Sequence, residues 1–93
     1  MARKKLSAEQ IVELTSELET WVVEDVFLKK RFNFSNFAEA LDFVNRAGAI
    51  AEKLDHHPDI TFGWGYAEFA ITTHDAGGLT HNDFDLAKEI EEI

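Results

Sequence analysis

The sequence predicts an α+β fold in which three helices pack on one face of an antiparallel sheet. Three stretches with apolar residues at helical spacing flank and separate two β-rich regions, which gives the element order α-β-β-α-β-α. The helices lie close to the strands in sequence, so a sheet covered on one face is the most economical layout. A chain of 93 residues suits a single domain, which we expect to span residues 1–93.

The chain up to residue 34 combines a helix with β-rich sequence. Ser7 and Gln10 have the spacing of a capping box, and apolar residues follow at helical intervals, so we expect a helix from about Ala8 to Thr20. Residues 21–28 form two β-rich runs split by a polar pair, which indicates a hairpin. The alternation that continues to residue 34 is typical of a strand with one largely wet face.

A second, longer helix has the strongest pattern in the chain. Ser35 or Asn36 can cap it. The helix must end near Asp55, because His57 precedes Pro58 and is therefore biased toward extended backbone. Apolar residues recur at steps of three and four along one side, as expected of a helix laid on a sheet: Phe37, Ala40, Leu41, Val44, Ala47, Ala51 and Leu54.

The last third of the chain predicts one strand and one helix. An aromatic- and threonine-rich stretch from about Phe62 to Thr73 indicates the strand. Gly63 and Gly65 weaken its start or mark a bulge or a close approach of the backbone. Residues 80–83 have the composition of a helix N-cap with a carboxylate at the third position, and the apolar spacing that follows indicates a last amphipathic helix.

Composition excludes several classes of function. Nine Lys and Arg residues against 18 Asp and Glu give a net charge of −9, so a phosphate backbone is repelled and direct nucleic-acid binding is not expected. No apolar run approaches the roughly 20 residues of a membrane span. The basic cluster at residues 3–5 precedes polar sequence and so does not begin a signal peptide. With no cysteine, the chain has no disulfide or thiolate chemistry. We expect a cytoplasmic protein.

Three of the four histidines fall at the ends of predicted elements. His56 and His57 lie between the second helix and Pro58, and His74 lies between the third strand and the Gly77-Gly78 loop. Loops held by rigid elements often carry function, and imidazole exchanges protons near neutral pH. If the helix end and the strand end lie side by side, the three imidazoles converge on one pocket.

Two other interpretations of these histidines stay open. They can be polar residues at exposed element ends, where such side chains are usually found. They can also be metal ligands, since three imidazoles suffice for a catalytic zinc. Against a metal, no His-x-x-x-His spacing is present, and adjacent residues on extended backbone point apart. His81 lies in the first turn of the last helix, where a polar residue needs no further role.

The two histidine segments together resemble the pterin-4a-carbinolamine dehydratase family. The resemblance rests on the run AEKLDHHP from Ala51 to Pro58, on THDAGGLT from Thr73 to Thr80, on Asp83, and on the spacing between the runs. It covers about residues 28–90. It implies a four-stranded antiparallel sheet with three helices on one face.

The resemblance also implies a reaction. Members of the family remove water from a 4a-hydroxytetrahydropterin to give quinonoid dihydropterin, in tetrahydrobiopterin recycling, without a metal or organic cofactor. Their active-site histidines correspond to His56, His57 and His74, the expected catalytic residues. Our hypothesis is that His56 and His74 are the acid and the base and that His57 holds the pterin. The expected substrate-binding residues are Glu52, Pro58, Thr73, Asp75 and Ala76.

Other functions remain as rivals. The same scaffold can be a non-enzymatic dimerisation or binding module, since animal members of the family are also dimerisation cofactors of a homeodomain transcription factor. The substrate can also be a related carbinolamine. The presence of three histidines with Glu52 favours the enzyme. The resemblance implies a homodimer or homotetramer, with Trp64, Tyr66 and the third strand as candidate contacts, and an aromatic amino-acid hydroxylase as a pathway partner.

Overall fold

Residues 4–93, which the computed structural model describes, form three α-helices and one four-stranded antiparallel sheet. The strand order is β1-β2-β4-β3, and each neighbouring pair is antiparallel. The predicted α+β fold class is confirmed. Arg3, part of the basic cluster considered above, lies outside the described residues. The helices are α1 (Ala8–Thr15), α2 (Phe37–Leu54) and α3 (His81–Glu91), and the strands are β1 (Val22–Glu24), β2 (Phe27–Asn33), β3 (Asp59–Gly63) and β4 (Tyr66–Ile71).

The segment predicted as one strand from about Phe62 to Thr73 is a hairpin. Strand β3 begins earlier, directly after Pro58, and the two residues Trp64 and Gly65 turn the chain into β4. Gly65 has a φ of +83°, which favours glycine, so its presence marks the turn rather than a bulge within one strand. This hairpin supplies the fourth strand that the family resemblance implied.

Helix α1 ends at Thr15, before its predicted end at Thr20. Its capping box is present as predicted. The Thr15 and Ser16 hydroxyls each donate a 2.6 Å hydrogen bond to a carbonyl of the preceding turn, and such side chains compete with the helical pattern. The turns that follow bury Leu18 and Trp21 in the core. Tertiary packing of these two side chains therefore prevails over the helical spacing.

The other predicted elements are confirmed. The β1–β2 hairpin turns at Asp25 and Val26, and Asp25 has a φ of 58°. Asn36 caps α2 by accepting a 2.9 Å hydrogen bond from the backbone N–H of Glu39. Helix α3 begins after Thr80, with a capping box as its N-cap composition predicted.

One face of the sheet carries the core. On the paired central strands β2 and β4, Leu28, Phe69 and Ile71 point to this face and are buried. The buried α2 residues Ala47 and Ala51 are small, so the helix can lie close to the sheet. The other face carries mainly polar strand residues. No helix within residues 4–93 is long and apolar enough to cross a membrane.

Candidate active site

The C-terminus of α2 positions the first two histidines. Asp55 adopts the left-handed conformation, with φ 52° and ψ 43°. The backbone N–H groups of Asp55 and His56 donate hydrogen bonds of 3.3 and 3.1 Å to the carbonyls of Glu52 and Ala51. This is the Schellman arrangement, which reverses the chain just after the last helical turn. His56 is consequently buried, with 6% of its surface exposed, whereas His57 is exposed.

A buried carboxylate that the sequence analysis did not include among the site residues holds His56. Nε2 of His56 lies 2.5 Å from Oδ1 of Asp83, which is fully buried. Oδ2 of Asp83 accepts hydrogen bonds from the Thr73 hydroxyl and from the Thr80 backbone N–H, both at 2.8 Å. Such bonds offset the cost of burying a carboxylate. When His56 is neutral, Asp83 also fixes its tautomer and its ring orientation.

Asp83 also caps the N-terminus of helix α3. It is the carboxylate of the helix's capping box, and Thr80, the N-cap residue, accepts a 3.3 Å hydrogen bond from the backbone N–H of Asn82. The helix N-terminus favours negative charge at this position. The sequence contains the signal for the cap. The second role depends on the fold, because Asp83 and His56 are 27 residues apart in the chain.

His57 pairs with Glu52 at the surface. Nε2 of His57 and Oε2 of Glu52 are in hydrogen-bond contact, and the two side chains are 54% and 77% exposed. Exposed pairs of this kind contribute little to stability. A ligand can therefore displace or extend this pair at a small cost in folding free energy.

His74 comes from the segment that follows β4. Thr73 and Gly78 form an isolated antiparallel bridge, and residues 74–76 between them make one turn of 3-10 helix. Gly77 closes this turn with a φ of +74°. His74 is exposed at the start of the turn. The bridge holds the turn beside Thr73, which is itself hydrogen-bonded to Asp83.

The structure brings the three histidines to one cleft of about 470 Å³. The volume lies within the usual range for small-molecule sites. All of the lining side chains are polar, so the cleft suits a polar heterocycle with hydrogen-bonding edges rather than an apolar ligand. The lining residues are Asp55, His56, His57, Thr72, Thr73, His74 and Asp75. A separate depression of about 360 Å³, lined mainly by strand residues, contains no histidine.

The five predicted substrate-binding residues lie in different places. Thr73 and Asp75 line the cleft. Glu52 is connected to it through His57. Pro58 and Ala76 are half-buried and are not among the lining residues. Within residues 4–93, no group of three or more acidic or histidine side chains is arranged to hold a metal ion.

The fold and the cleft define a small α+β protein with three imidazoles, two of them paired with carboxylates, at one polar cleft. The chain belongs to the pterin 4 alpha carbinolamine dehydratase family, whose profile matches residues 4–93. The resemblance predicted from the two histidine segments is therefore confirmed.

Known proteins give the same assignment. A protein of Rubrobacter xylanophilus, provisionally named pterin-4-alpha-carbinolamine dehydratase, is 47% identical over 89 residues, which cover 95% of this chain and 83% of the relative. The crystal structure of a transcriptional coactivator/pterin dehydratase from Brucella melitensis has a TM-score of 0.89 at 27% identity, covering 96% of this chain and 97% of that one. A pterin dehydratase-like protein described as a RuBisCO assembly factor of the alpha-carboxysome shares the fold. Its TM-score is 0.63 at 23% identity, covering 77% of this chain and 83% of that one.

Proposed function

We propose that this protein dehydrates a pterin-4a-carbinolamine, 4a-hydroxytetrahydrobiopterin, to quinonoid dihydropterin and water. The observation that carries the proposal is the meeting of His56, His57 and His74 at one polar cleft. Membership of the family and the names of the relatives support it. The role in tetrahydrobiopterin recycling and the cytoplasmic location expected from the sequence belong to the same proposal.

The reaction requires two proton movements and no change of oxidation state. The bond between C4a and the hydroxyl oxygen breaks, and the oxygen takes up a proton and leaves as water. The neighbouring N5 loses its hydrogen as the double bond to C4a forms. Imidazole can donate one proton and accept the other near neutral pH. General acid–base catalysis of this kind contributes about 10²–10⁴-fold in rate.

We assign His56 and His74 as the acid–base pair and His57, with Glu52, as the group that holds the pterin. His56 is suited to proton transfer because Asp83 fixes the orientation of its ring at 2.5 Å. His74 lines the same cleft from the separate segment after β4. His57 is exposed, and its contact with Glu52 leaves the pair accessible to a ligand.

The proposal is tested by adding the purified protein to an aromatic amino-acid hydroxylase reaction and following quinonoid dihydropterin by absorbance. The protein should accelerate its appearance. We expect His74→Ala to lower the dehydration rate by about 10²-fold or more, the size of a general acid–base contribution. His81→Ala is the matched control, because His81 is exposed on α3 and is not among the cleft-lining residues. Equal rates with and without wild-type protein would contradict the proposal.

The alternative is a non-enzymatic binding module. The fold occurs in a protein described as a RuBisCO assembly factor, so the scaffold is compatible with roles other than catalysis. A binding module has no need of the paired imidazoles. If the protein does not accelerate dehydration, and the His74→Ala variant keeps any partner interaction of the wild type, this alternative replaces the enzyme.

We also propose that the protein forms a homodimer or homotetramer. Strand β3 is an edge of the sheet, and its Phe62 stacks on Phe37 of α2 with ring centroids 5.7 Å apart. Phe37, Leu41 and Trp64 are exposed around this edge, Trp64 by 71%. Large exposed apolar side chains beside an unpaired strand favour association. Tyr66, also expected at a contact, is covered on one ring face by Arg31.

A further inference from the structure

Asp55 occupies a backbone position that normally favours glycine. It is the left-handed residue of the Schellman arrangement, and residues with a Cβ pay a conformational cost there, although Asp and Asn pay less than most. Its side chain makes no hydrogen bond or ion pair to any residue of the described chain. It is exposed and lines the cleft beside His56. Left-handed backbone therefore accounts for Asp or Asn over most other residues, but no structural contact accounts for a charged carboxylate in place of the neutral amide.

The charges around the cleft indicate what Asp55 does. Two of the three imidazoles have carboxylate partners of their own, Asp83 for His56 and Glu52 for His57. The lining residues include no lysine or arginine among those that the structure describes. Asp55 and Asp75, which also line the cleft, add carboxylates beyond these two pairs. The net charge of the whole chain, −9, has the same sign.

We propose that Asp55 is a specificity-determining residue that makes the cleft select pterins with an uncharged side chain over pterins with an anionic one. The inference rests on the proposed function and assigns to one residue a preference among pterin side chains. A like charge within about 8 Å lowers affinity about two- to threefold per unit charge in a water-exposed site. A carboxylated or phosphorylated pterin side chain meets this repulsion, and a hydroxyalkyl side chain does not.

Two stable aromatic pterins test the proposal by equilibrium binding, independently of turnover. Fluorescence titration at about 10 mM salt, where the Debye length is about 30 Å and screening is weak, compares 6-hydroxymethylpterin with pterin-6-carboxylate. We expect the wild type to bind the uncharged compound at least about threefold more tightly. Asp55→Asn should reduce this ratio about two- to threefold. Asparagine is the appropriate replacement, because it keeps the shape and tolerates left-handed backbone.

Two further variants separate the charge from the backbone. Asp55→Gly removes the same charge and also the conformational cost of a Cβ at this position. Because the charge sets the preference, we expect Asp55→Gly and Asp55→Asn to give the same ratio of affinities. Asp42→Asn is the matched control, because Asp42 lies on the same helix about 20 Å from Asp55 along its axis. Asp42→Asn should leave the ratio at the wild-type value.

The outcomes distinguish this inference from the proposed function. If the wild type binds the two pterins equally, or if Asp55→Asn leaves the ratio unchanged, the inference is wrong and the dehydratase proposal stands. If the protein binds neither pterin and dehydrates no carbinolamine, the proposed function fails and the inference fails with it. Binding of the uncharged pterin, together with a ratio that falls in both Asp55 variants, supports both.

Discussion

His56 and His57 are neighbours in the chain but occupy opposite environments. His56 is 6% exposed and bonded to a buried carboxylate, whereas the side chain of His57 is 54% exposed and bonded to a surface carboxylate. Extended backbone sends adjacent side chains to opposite sides, and the reversal after α2 directs the first of them inward. The pair thus supplies one rigid and one accessible imidazole to the same cleft.

The carboxylate that holds His56 gives the sharpest prediction at this scale. In Asp83→Asn, the amide cannot accept all three hydrogen bonds, so we expect the free energy of unfolding to fall by about 1–3 kcal/mol. We also expect kcat for dehydration to fall by about tenfold or more, because the tautomer and orientation of His56 are no longer fixed. Urea denaturation and kcat per folded molecule measure the two effects separately.

Glu52→Gln is the control for this prediction. It makes the same chemical change in the exposed pair, so we expect the free energy of unfolding to change by less than about 0.5 kcal/mol. If Asp83→Asn kept the wild-type kcat in its folded fraction, Asp83 would be a helix cap and nothing more.

At the scale of elements, substitutions of two glycines test the backbone conformation of the β3–β4 turn and of helix α2. Gly65 has a φ of +83°, and a Cβ added there lies 3.3 Å from the Phe34 carbonyl oxygen. Gly48 is inside α2, where an added Cβ meets nothing within 4 Å. Gly65→Ala should lower the free energy of unfolding by about 1–2 kcal/mol, and Gly48→Ala should raise it by about 0.5–1 kcal/mol.

Urea denaturation of both variants measures these changes. The prediction concerns the sign of the change in the free energy of unfolding for each variant. A stable Gly65→Ala variant would mean that the β3–β4 turn tolerates another conformation, and a destabilised Gly48→Ala variant would mean that α2 packs more tightly there than the structure shows.

At the scale of the whole molecule, Glu91 joins the end of α3 to the segment that follows α1. Its Oε1 accepts hydrogen bonds from Trp21 Nε1 at 2.8 Å and from the Thr20 hydroxyl at 3.3 Å, and it contacts the Lys30 ammonium. Burial alone raises the pKa of Glu91, but the hydrogen bonds from Lys30 and Trp21 outweigh it and hold the pKa below its ordinary value of 4.5.

This contact makes stability depend on pH. Because the pKa of Glu91 is lowered by folding, its contribution is fully present above about pH 4.5 and is lost as the pH falls through the lowered value. Glu91→Gln should lower the free energy of unfolding at pH 7 by about 0.5–1 kcal/mol and should lose less on acidification than the wild type. Urea denaturation from pH 3 to 7 measures both, with exposed Glu89→Gln as control. Parallel curves for Glu91→Gln and wild type would contradict the assignment.

The proposed assembly is tested at the same scale. Leu41→Glu places a charge among the exposed apolar side chains beside β3, so we expect it to shift the protein toward monomer in size-exclusion chromatography with light scattering. Val12→Glu is the control, because Val12 is 70% exposed on α1 and lies near β1, at the opposite edge of the sheet. A wild-type protein that is monomeric at high concentration would refute the proposal.

The sequence by itself determined the order of the helices and β-rich segments, the long helix and its end near Asp55. Helical periodicity and capping are local properties, so the relevant residues lie within a few positions of one another. The two histidine segments also identified the family. Local patterns did not separate β3 from β4, because Gly65 in a turn and a glycine in a bulge look alike in sequence. The end of α1 was missed since burial of Leu18 and Trp21 depends on the rest of the core.

Only the tertiary structure decided how the site is assembled. The carboxyl group of Asp83 reaches His56 because α3 starts where α2 ends, and nothing local to either residue encodes that meeting. The same holds for His74, which shares a cleft with His56 through the end of β4. Sequence spacing limits which contacts are possible, but the packing of the helices on the sheet selects among them, because burial of the core residues fixes where each element ends in space.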